Sequence, residues 1–260
     1  MTCNEIILDG RRLETAWWGP DPDQAPTLVL LHEGLGSISL WRDLPERLAA
    51  ATGCGVFAYS RFGYGQSDPV TLPRPMTYMQ DEALTVLPRV LDAARIERAV
   101  LLGHSDGGSI AAIYAGAVRD ARLAGLVLIA AHFFVEHLNI ESIGRIRTDY
   151  ETTDLRARLA RHHADADNAF RGWNDAWLDP RFRAFDITEY LPGIAVPVLA
   201  LQGADDPYGT AAQLEVLERH VTAPLDTRLI PGARHAPHLE AKDATLAAIA
   251  GFARSVLTGR

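Results

Sequence analysis

Cysteine is scarce in this sequence, whose 260 residues contain only Cys3 and Cys54. Neither residue belongs to a Cys-x-x-Cys pair, and their separation fits no zinc-binding spacing, which predicts two reduced thiols and no metal site. The chain also lacks an apolar run long enough to span a bilayer, and its N-terminus lacks the basic and apolar segments of a secretory signal. These absences predict a cytoplasmic protein without a membrane partner.

Basic residues are in the minority. The 33 acidic residues outnumber the 25 basic ones, for a formal net charge of -8, which argues against a nucleic acid partner. Hydrophobic residues make up 48% of the chain and charged residues 22%, fractions typical of a globular rather than a disordered protein. The length suits one domain, or one domain with a modest insertion. The oligomeric state is left open, a homodimer included.

Short apolar runs alternate with longer amphipathic segments along most of the chain. Several of the runs are apolar throughout, which is typical of parallel strands that are covered on both faces. The predicted strands are Glu5–Leu8, Leu13–Trp17, Thr27–Leu31, Gly55–Tyr59, Ala99–Leu102, Leu126–Ala130, Val196–Leu201 and Thr227–Ile230.

Helix-like segments lie between these strands. They are Leu40–Ala51, Glu82–Ala94, Gly107–Val118, Ala211–His220 and Ala241–Leu257. Regular succession of strand and helix predicts an α/β fold, in which helices flank a mostly parallel central sheet of about eight strands. The Asp9-Gly10 pair between the first two runs is a hairpin signal, so we expect the sheet to open with an antiparallel pair.

Residues 132–191 interrupt this succession because they contain no strand-like run. The segment is rich in arginine, aspartate, histidine and aromatic residues. Sixty residues without secondary structure would be improbable in a compact domain. The sequence therefore predicts a helical cap over 132–191, inserted between the core segments 1–131 and 192–260.

The segment 103–108, with the sequence GHSDGG, contains a G-x-S-x-G motif. It directly follows a predicted strand and directly precedes a predicted helix, and this context makes the motif specific for a nucleophile elbow. A sharp turn there would project the Ser105 hydroxyl above the sheet, while the flanking glycines avoid clashes with the neighbouring strand and helix. Ser105 is therefore the predicted nucleophile.

Serine needs a general base, and the base needs a carboxylate to orient it. His235 follows the last predicted strand and would lie at the same sheet edge as Ser105, whereas its competitor His238 falls near the start of the last helix. Asp205 and Asp206 both follow the strand 196–201, and by position either could orient the histidine. The order serine, aspartate, histidine along the chain matches the order described for such hydrolases.

An oxyanion site needs two backbone N–H groups that point to where negative charge develops. The loop after the strand Thr27–Leu31 has the sequence HEGLGS and would supply one amide, from about Gly34. Asp106, directly after the predicted nucleophile, would supply the other. His32 is expected to stabilise this loop by hydrogen bonding.

These motifs resemble those of the α/β-hydrolase superfamily, in particular of its serine-nucleophile members with a helical cap, over nearly the whole chain. Segment 59–68 is similar to the family loop D-x-x-G-x-G-x-S, and His235 with Glu240 matches the family's last motif. The family places its acid three residues after a glycine, which here is Gly203, so the resemblance selects Asp206 over Asp205. The proline iminopeptidases of this family usually carry His-Gly-Gly-Pro-Gly in the oxyanion loop, and this chain does not.

Two positions depart from the family pattern. Glu33 stands where the family has glycine, and a carboxylate beside an oxyanion would oppose catalysis. We therefore expect Glu33 to turn away and pair with a cation, with Arg61 as the candidate; alternatively, it could bind a cationic group of the substrate. Asp106 adds a second negative charge near Ser105, and its side chain is expected to contact a backbone group at the helix start.

Aromatic residues of the predicted cap are candidates for the substrate pocket. Trp173 and Trp177 are four residues apart and would share one helix face, while His132 and Phe133 begin the segment. These four residues and Glu33 are the predicted substrate-binding set, and plain packing of the cap onto the core is the alternative for the aromatic ones.

The resulting hypothesis is a serine hydrolase that cleaves an ester, lactone or related carbonyl substrate through a covalent acyl-enzyme. It would act on a small molecule without a metal or an organic cofactor. One alternative uses the same triad to hydrolyse a carbon–carbon bond in a diketone of the ring-cleavage type. A second is a non-catalytic small-molecule-binding protein that keeps the fold, an alternative that the unusual Glu33 leaves open.

Overall fold

The computed structural model describes residues 2–258, apart from the side chains of Cys3 and Thr258. The predicted state of the Cys3 thiol therefore lies outside the described part of the chain, whereas Cys54 is buried and unpaired. Eight strands form one sheet: β1 Thr2–Leu8, β2 Arg11–Trp18, β3 Thr27–Leu31, β4 Gly55–Tyr59, β5 Ala99–His104, β6 Leu123–Ile129, β7 Val198–Gly203 and β8 Leu225–Ile230.

The strands are arranged in the order β1-β2-β4-β3-β5-β6-β7-β8. The β1–β2 and β2–β4 pairs are antiparallel, and the other five pairs are parallel. The predicted α/β fold, with its mostly parallel sheet and its antiparallel opening pair, is confirmed. The hairpin turn uses Asp9 and Gly10, both of which have positive φ angles, as such turns require.

Ten α-helices pack around the sheet or lie beyond it in the described chain. They are α1 Leu44–Thr52, α2 Tyr78–Asp81, α3 Leu87–Ala93, α4 Asp106–Ala117, α5 His137–Thr152, α6 Leu155–Leu159, α7 Ala166–Leu178, α8 Ala212–His220, α9 Pro237–Glu240 and α10 Lys242–Thr258. A π-helical turn over Glu82–Val86 joins α2 to α3, and 3-10 helices cover Ile38–Trp41, Pro180–Ala184 and Thr188–Gly193.

The central strands are covered on both faces. All five residues of β3 are buried, and they alternate between two hydrophobic clusters: Val29 and Leu31 belong to one cluster, and Leu28 and Leu30 to the other. This alternation follows from the two-residue repeat of a strand. It explains why a strand with both faces buried is apolar throughout rather than at every second position.

The carboxyl ends of four strands bring the predicted functional loops to one edge of the sheet. Strands β3 and β5 pair so that Leu31 lies opposite Gly103, which places the loop after β3 beside the elbow. Strands β7 and β8 end at Gly203 and Ile230. The loops that carry Asp206 and His235 therefore begin at the same edge.

The chain between β6 and β7 contains α5, α6, α7 and the last two 3-10 helices. The final part of this segment packs against the helices that cover the sheet, where the backbone of Tyr190 lies close to Gly116 of α4. None of the helices within residues 2–258 is long and apolar enough to cross a membrane.

Two glycines differ sharply in what an added methyl group would meet, and the difference gives a stability prediction. A Cβ at Gly103 would lie 2.2 Å from the carbonyl oxygen of Gly107, whereas a Cβ at Gly144, inside α5, would meet nothing within 4 Å. Gly144→Ala is expected to stabilise the fold by about 0.5–1 kcal/mol, because alanine loses less backbone entropy in a helix. Gly103→Ala is expected to destabilise it by about 1–3 kcal/mol or more.

Urea denaturation of both variants, monitored by circular dichroism, measures these free energies of unfolding. Equal stabilities for Gly103→Ala and the wild type would show that the strand–helix contact at the elbow is looser than described. A destabilised Gly144→Ala would show that α5 does not have the open surface described at that position.

Candidate active site

Ser105 occupies the sharp turn between β5 and α4. Its φ and ψ angles are 52° and -120°, a conformation that is strained for a residue with a side chain. Around this turn the backbones of β3, β5 and α4 approach too closely for a side chain at positions 103 and 107. A Cβ at Gly107 would lie 2.0 Å from the carbonyl oxygen of Leu31, so the glycines of the motif are a steric requirement.

Ser105, His235 and Asp206 form a continuous hydrogen-bonded chain. The Ser105 Oγ lies 3.0 Å from His235 Nε2. On the other side of the ring, His235 Nδ1 lies 2.8 Å and 3.0 Å from the two carboxylate oxygens of Asp206. The structure thus brings together the three residues that were predicted from well-separated loops.

Asp206 is held in place by further donors. Its carboxylate accepts hydrogen bonds from Gln202 Nε2, at 2.6 Å, and from the backbone N–H of Tyr208, at 2.8 Å. Burial favours the neutral acid, but the hydrogen bond and the charge of His235 outweigh it, so the pKa of Asp206 is lowered. Asp205 is exposed, and its backbone N–H bonds the carbonyl of Ala233 in the turn.

His238, the competitor for the role of base, lies in α9 and is buried. Its ring packs 4.7 Å from that of His104 and 5.3 Å from that of Trp41. Burial is the main cause that lowers the pKa of His238 to about 3, which keeps the ring neutral. His238 is therefore a packing residue.

A cavity of about 110 Å³ opens beside the Ser105 hydroxyl. A larger groove of about 940 Å³ runs along β1 and β2, but it contains none of the predicted site residues. The residues that line the smaller cavity are Glu33, Gly34, Leu35, Ser105, Asp106, His132, Ile143, Trp173, Trp177, Tyr208 and His235.

Two backbone amides at this cavity are available as donors. In residues 2–258 the N–H groups of Gly34 and Asp106 donate to no protein acceptor, and both residues line the cavity. Asp106 is the first residue of α4, whose N-terminal amides and dipole favour negative charge. Trp173 leaves no space for a side chain at position 34, because a Cβ added to Gly34 would lie 2.1 Å from the indole Nε1.

Comparison with known proteins places this geometry in a family. A family model described as the alpha/beta hydrolase fold matches residues 26–163. The chain belongs to the alpha/beta hydrolase fold family. It is 24% identical over 256 residues to 3-oxoadipate enol-lactonase 1 of Acinetobacter baylyi, covering 90% of this chain and 91% of the relative.

Two other members of the alpha/beta hydrolase fold family show how far the likeness extends. A non-heme chloroperoxidase of Streptomyces lividans is 29% identical over 238 residues, covering 78% of this chain and 83% of its own. The crystal structure of a proline iminopeptidase from Mycobacterium smegmatis superposes with a TM-score of 0.77 at 20% identity, covering 98% of both chains. The structural likeness shows the shared fold.

Glu33 stands where the alpha/beta hydrolase pattern has glycine. The prediction that its carboxylate pairs with Arg61 was wrong. Arg61 Nη2 donates to the backbone carbonyl of Glu33, at 3.0 Å, rather than to its carboxylate. The carboxylate Oε2 instead lies 3.4 Å from His104 Nδ1. Strand β3, which leads to Glu33, lies between two strands. On one side β4 leads to Arg61, and on the other side β5 ends at His104, which is the side that the carboxylate faces.

His32 stabilises the oxyanion loop as expected. Its Nδ1 bonds the backbone carbonyl of Glu33, at 2.7 Å, and its Nε2 accepts the backbone N–H of Arg61, at 3.0 Å. This ring, which is fully buried, connects the ends of β3 and β4. Burial is the largest cause that lowers the pKa of His32 well below its ordinary value.

The expected backbone contact of the Asp106 side chain was also wrong. Its carboxylate accepts hydrogen bonds from the Tyr78 hydroxyl, at 2.7 Å, and from the Trp177 indole N–H, at 3.2 Å. Burial is the largest influence and raises the pKa of Asp106, although the nearby charge of Arg61 opposes it. These donors come from α2 and α7, which are too distant in the sequence for a local pattern to predict the contacts.

The structure brings most of the predicted pocket residues to the cavity, but not Phe133. His132, Trp173 and Trp177 line it, and the His132 ring stacks on that of His235 with centroids 5.6 Å apart. Phe133 is 1% exposed and lies in the main hydrophobic cluster. The reason is that its side chain packs into the core while that of its neighbour His132 faces the cavity.

Sequence reasoning missed four residues of the site, namely Leu35, Ile143, Tyr208 and His104. Leu35 directly follows Gly34 and Tyr208 lies two residues after Asp206, so closeness to predicted residues in the sequence was the available signal. Ile143 lies in α5, and nothing local distinguishes it from other apolar residues of that helix. His104 occupies the variable position of the elbow motif, where no pattern specifies its contacts.

Proposed function

We propose that this protein is a serine hydrolase of small esters, lactones or related carbonyl compounds. The observation that carries the proposal is the Ser105–His235–Asp206 chain of hydrogen bonds, with contacts of 3.0 Å and 2.8 Å. This chain lies beside a cavity where two backbone N–H groups have no protein acceptor in the described chain. The enol-lactonase of Acinetobacter baylyi, which spans nearly the same length, supports an ester or lactone substrate.

The first half of the reaction transfers the acyl group to the enzyme. Ser105 Oγ attacks the carbonyl carbon while its proton passes to His235 Nε2. Asp206 holds the ring with Nδ1 protonated and stabilises the imidazolium that forms. The amides of Gly34 and Asp106 donate to the oxyanion, and each such donor is worth roughly 10²–10³ in rate.

The second half releases the acid. The imidazolium of His235 gives its proton to the leaving alcohol or enol oxygen, and collapse of the tetrahedral intermediate leaves an ester on Ser105. Neutral His235 then takes a proton from a water molecule, which attacks the same carbonyl carbon. A second collapse returns the proton to Ser105 Oγ and frees the carboxylic acid.

Residues 132–191 act in this proposal as a cap that limits the size of the acyl group. Ile143, Trp173 and Trp177 belong to that segment and form apolar walls beside Ser105. A cavity of about 110 Å³ is smaller than a pocket for drug-sized ligands, which occupies roughly 300–1,000 Å³. The acyl group is therefore expected to contain only a few carbon atoms.

A panel of p-nitrophenyl esters tests both the activity and the size limit. Acetate and butyrate esters are expected to be hydrolysed at least about tenfold faster, in kcat/KM, than the octanoate, because excess methylenes do not fit a closed apolar pocket. Ile143→Ala is expected to shift the preference towards longer acyl groups. Ile146→Ala is the matched control, since Ile146 lies in the same helix but does not line the cavity.

Two outcomes would contradict these expectations. Failure of the folded enzyme to hydrolyse any ester or lactone of the panel would overturn the proposed function. Equal shifts in acyl-chain preference for Ile143→Ala and Ile146→Ala would show instead that Ile143 does not limit the acyl group.

A further inference from the structure

His104 has one ring nitrogen committed and one facing a carboxylate. Its Nε2 donates a proton to the backbone carbonyl of His235, at 2.8 Å. Its Nδ1 is buried, makes no hydrogen bond of good geometry, and lies 3.4 Å from Glu33 Oε2. A neutral ring would therefore turn its Nδ1 lone pair towards a carboxylate.

A proton between the two groups removes this conflict. With Nδ1 protonated, the contact becomes an ion pair, and unpaired buried charge is far more costly than a paired one. Burial opposes the charged form of both groups, but the close contact with the opposite charge of the partner outweighs it. The pKa of His104 is accordingly raised, and that of Glu33 is lowered.

Other titratable groups surround the pair. The rings of His238 in α9 and His235 lie 4.7 Å and 5.2 Å from that of His104, and Asp206 acts on it from further away. His32 acts on Glu33 from within the same loop. The charge of Glu33 also acts on His162 and His163, and that of His104 acts on His132.

His104 connects three parts of the site. It precedes the nucleophile in the chain, it holds the backbone of the catalytic histidine, and it faces the residue that precedes Gly34. The side chain of His104 is 4% exposed and that of Glu33 is 27% exposed. The contact is therefore shielded on the His104 side and open to the cavity on the Glu33 side.

We propose that Glu33 and His104 share one proton and that this protonated pair positions the oxyanion loop against the nucleophile elbow. Both are positioning residues, because they act through the amide of Gly34 and the backbone of His235. This inference rests on the proposed function. Loss of the shared proton at alkaline pH would loosen the Gly34 amide and lower kcat, with little change in KM for a neutral ester.

The pH dependence of kcat for a short neutral ester tests the proposal. In the wild type we expect kcat to fall at alkaline pH as the pair loses its proton. In Glu33→Gln this fall is expected to move about 1–3 pH units lower, because a neutral amide no longer favours the charged ring. In His104→Gln the fall should disappear. Glu46→Gln, which alters an exposed glutamate of α1, should retain the wild-type profile.

Proton NMR titration of the histidine rings gives a readout that is independent of activity. The ring signal absent from His104→Gln identifies His104 in the wild type, and its titration should move to lower pH in Glu33→Gln. Because the folded pKa of His104 is raised and that of Glu33 is lowered, the pair stabilises the fold fully between the ordinary glutamate and histidine pKa values of about 4.3 and 6.5. This contribution is lost as pH rises through the folded pKa of His104 or falls through that of Glu33.

Separate outcomes identify which hypothesis fails. An unchanged alkaline fall and an unchanged ring titration in Glu33→Gln would overturn the shared proton. A shifted titration without any shift in the kcat profile would limit the pair to a structural role and overturn its positioning role. Absence of all hydrolysis in the wild type would refute the proposed function, while the NMR titration would still decide whether the proton is shared.

Discussion

A Ser105→Ala variant is expected to retain its fold and to lose roughly 10⁴–10⁶-fold in turnover. The hydroxyl lies 3.0 Å from His235 Nε2, and in the proposed mechanism it supplies the atom that forms the acyl-enzyme, so no neighbouring group is expected to replace it. His235→Ala is expected to lose a similar factor, since the serine then has no proton acceptor. The two losses should not add in the double variant, because the two residues act as one unit.

Fluorophosphonate labelling measures the same prediction without a known substrate. The wild type should be labelled at Ser105, and both variants should remain unlabelled at equal protein concentration. Ser255→Ala and His137→Ala are suitable controls, because they alter exposed residues away from the cavity. Labelling of Ser105→Ala at the wild-type rate would show that another nucleophile reacts and would refute the assignment.

Asp206→Asn is expected to lower turnover by about 10⁴-fold. An asparagine amide can donate to His235 Nδ1, which would favour the ring tautomer that leaves Nε2 protonated and unable to accept the proton of Ser105. The same substitution removes the negative charge of the carboxylate that accepts hydrogen bonds from Gln202 and Tyr208. The loss should appear in kcat and in the rate of fluorophosphonate labelling.

Asp205→Asn is the matched control for this substitution. Asp205 is adjacent in the chain and of the same type, but it is exposed and lies outside the contacts of His235. Its variant should keep at least about half of the wild-type turnover, as surface substitutions usually have small effects. A large loss in Asp205→Asn together with a small one in Asp206→Asn would reverse the assignment of the triad acid.

The fold could be predicted because its signals are local. Buried parallel strands are apolar throughout, and β3 and β4 have the predicted bounds. The elbow was equally accessible, since glycine is needed where backbone from two elements meets around Ser105. Strand β1 begins three residues before its predicted start, β5 ends two residues past its predicted end, and β7 is shifted two residues along the chain. Hydrogen bonding with neighbouring strands, and not the apolar run alone, sets these bounds.

Contacts between distant segments could not be predicted in the same way. Both neighbours of β3 bring a basic residue close to Glu33, Arg61 after β4 and His104 at the end of β5, and only the tertiary structure shows that the carboxylate faces His104. Asp106 likewise meets Tyr78 and Trp177, which lie 28 and 71 residues away in sequence. Local patterns therefore identify the reacting groups, whereas the residues that hold them require the tertiary structure.

The contact between Gly34 and Trp173 constrains how this chain could diversify. Because the indole occupies the space where a Cβ at position 34 would lie, a side chain at position 34 requires a change at position 173. A lineage that acquired a side chain at position 34 would first have to replace the tryptophan by a smaller residue. If the proposed function holds, Trp173 links the evolution of the segment proposed to select the substrate to that of the loop proposed to stabilise the transition state.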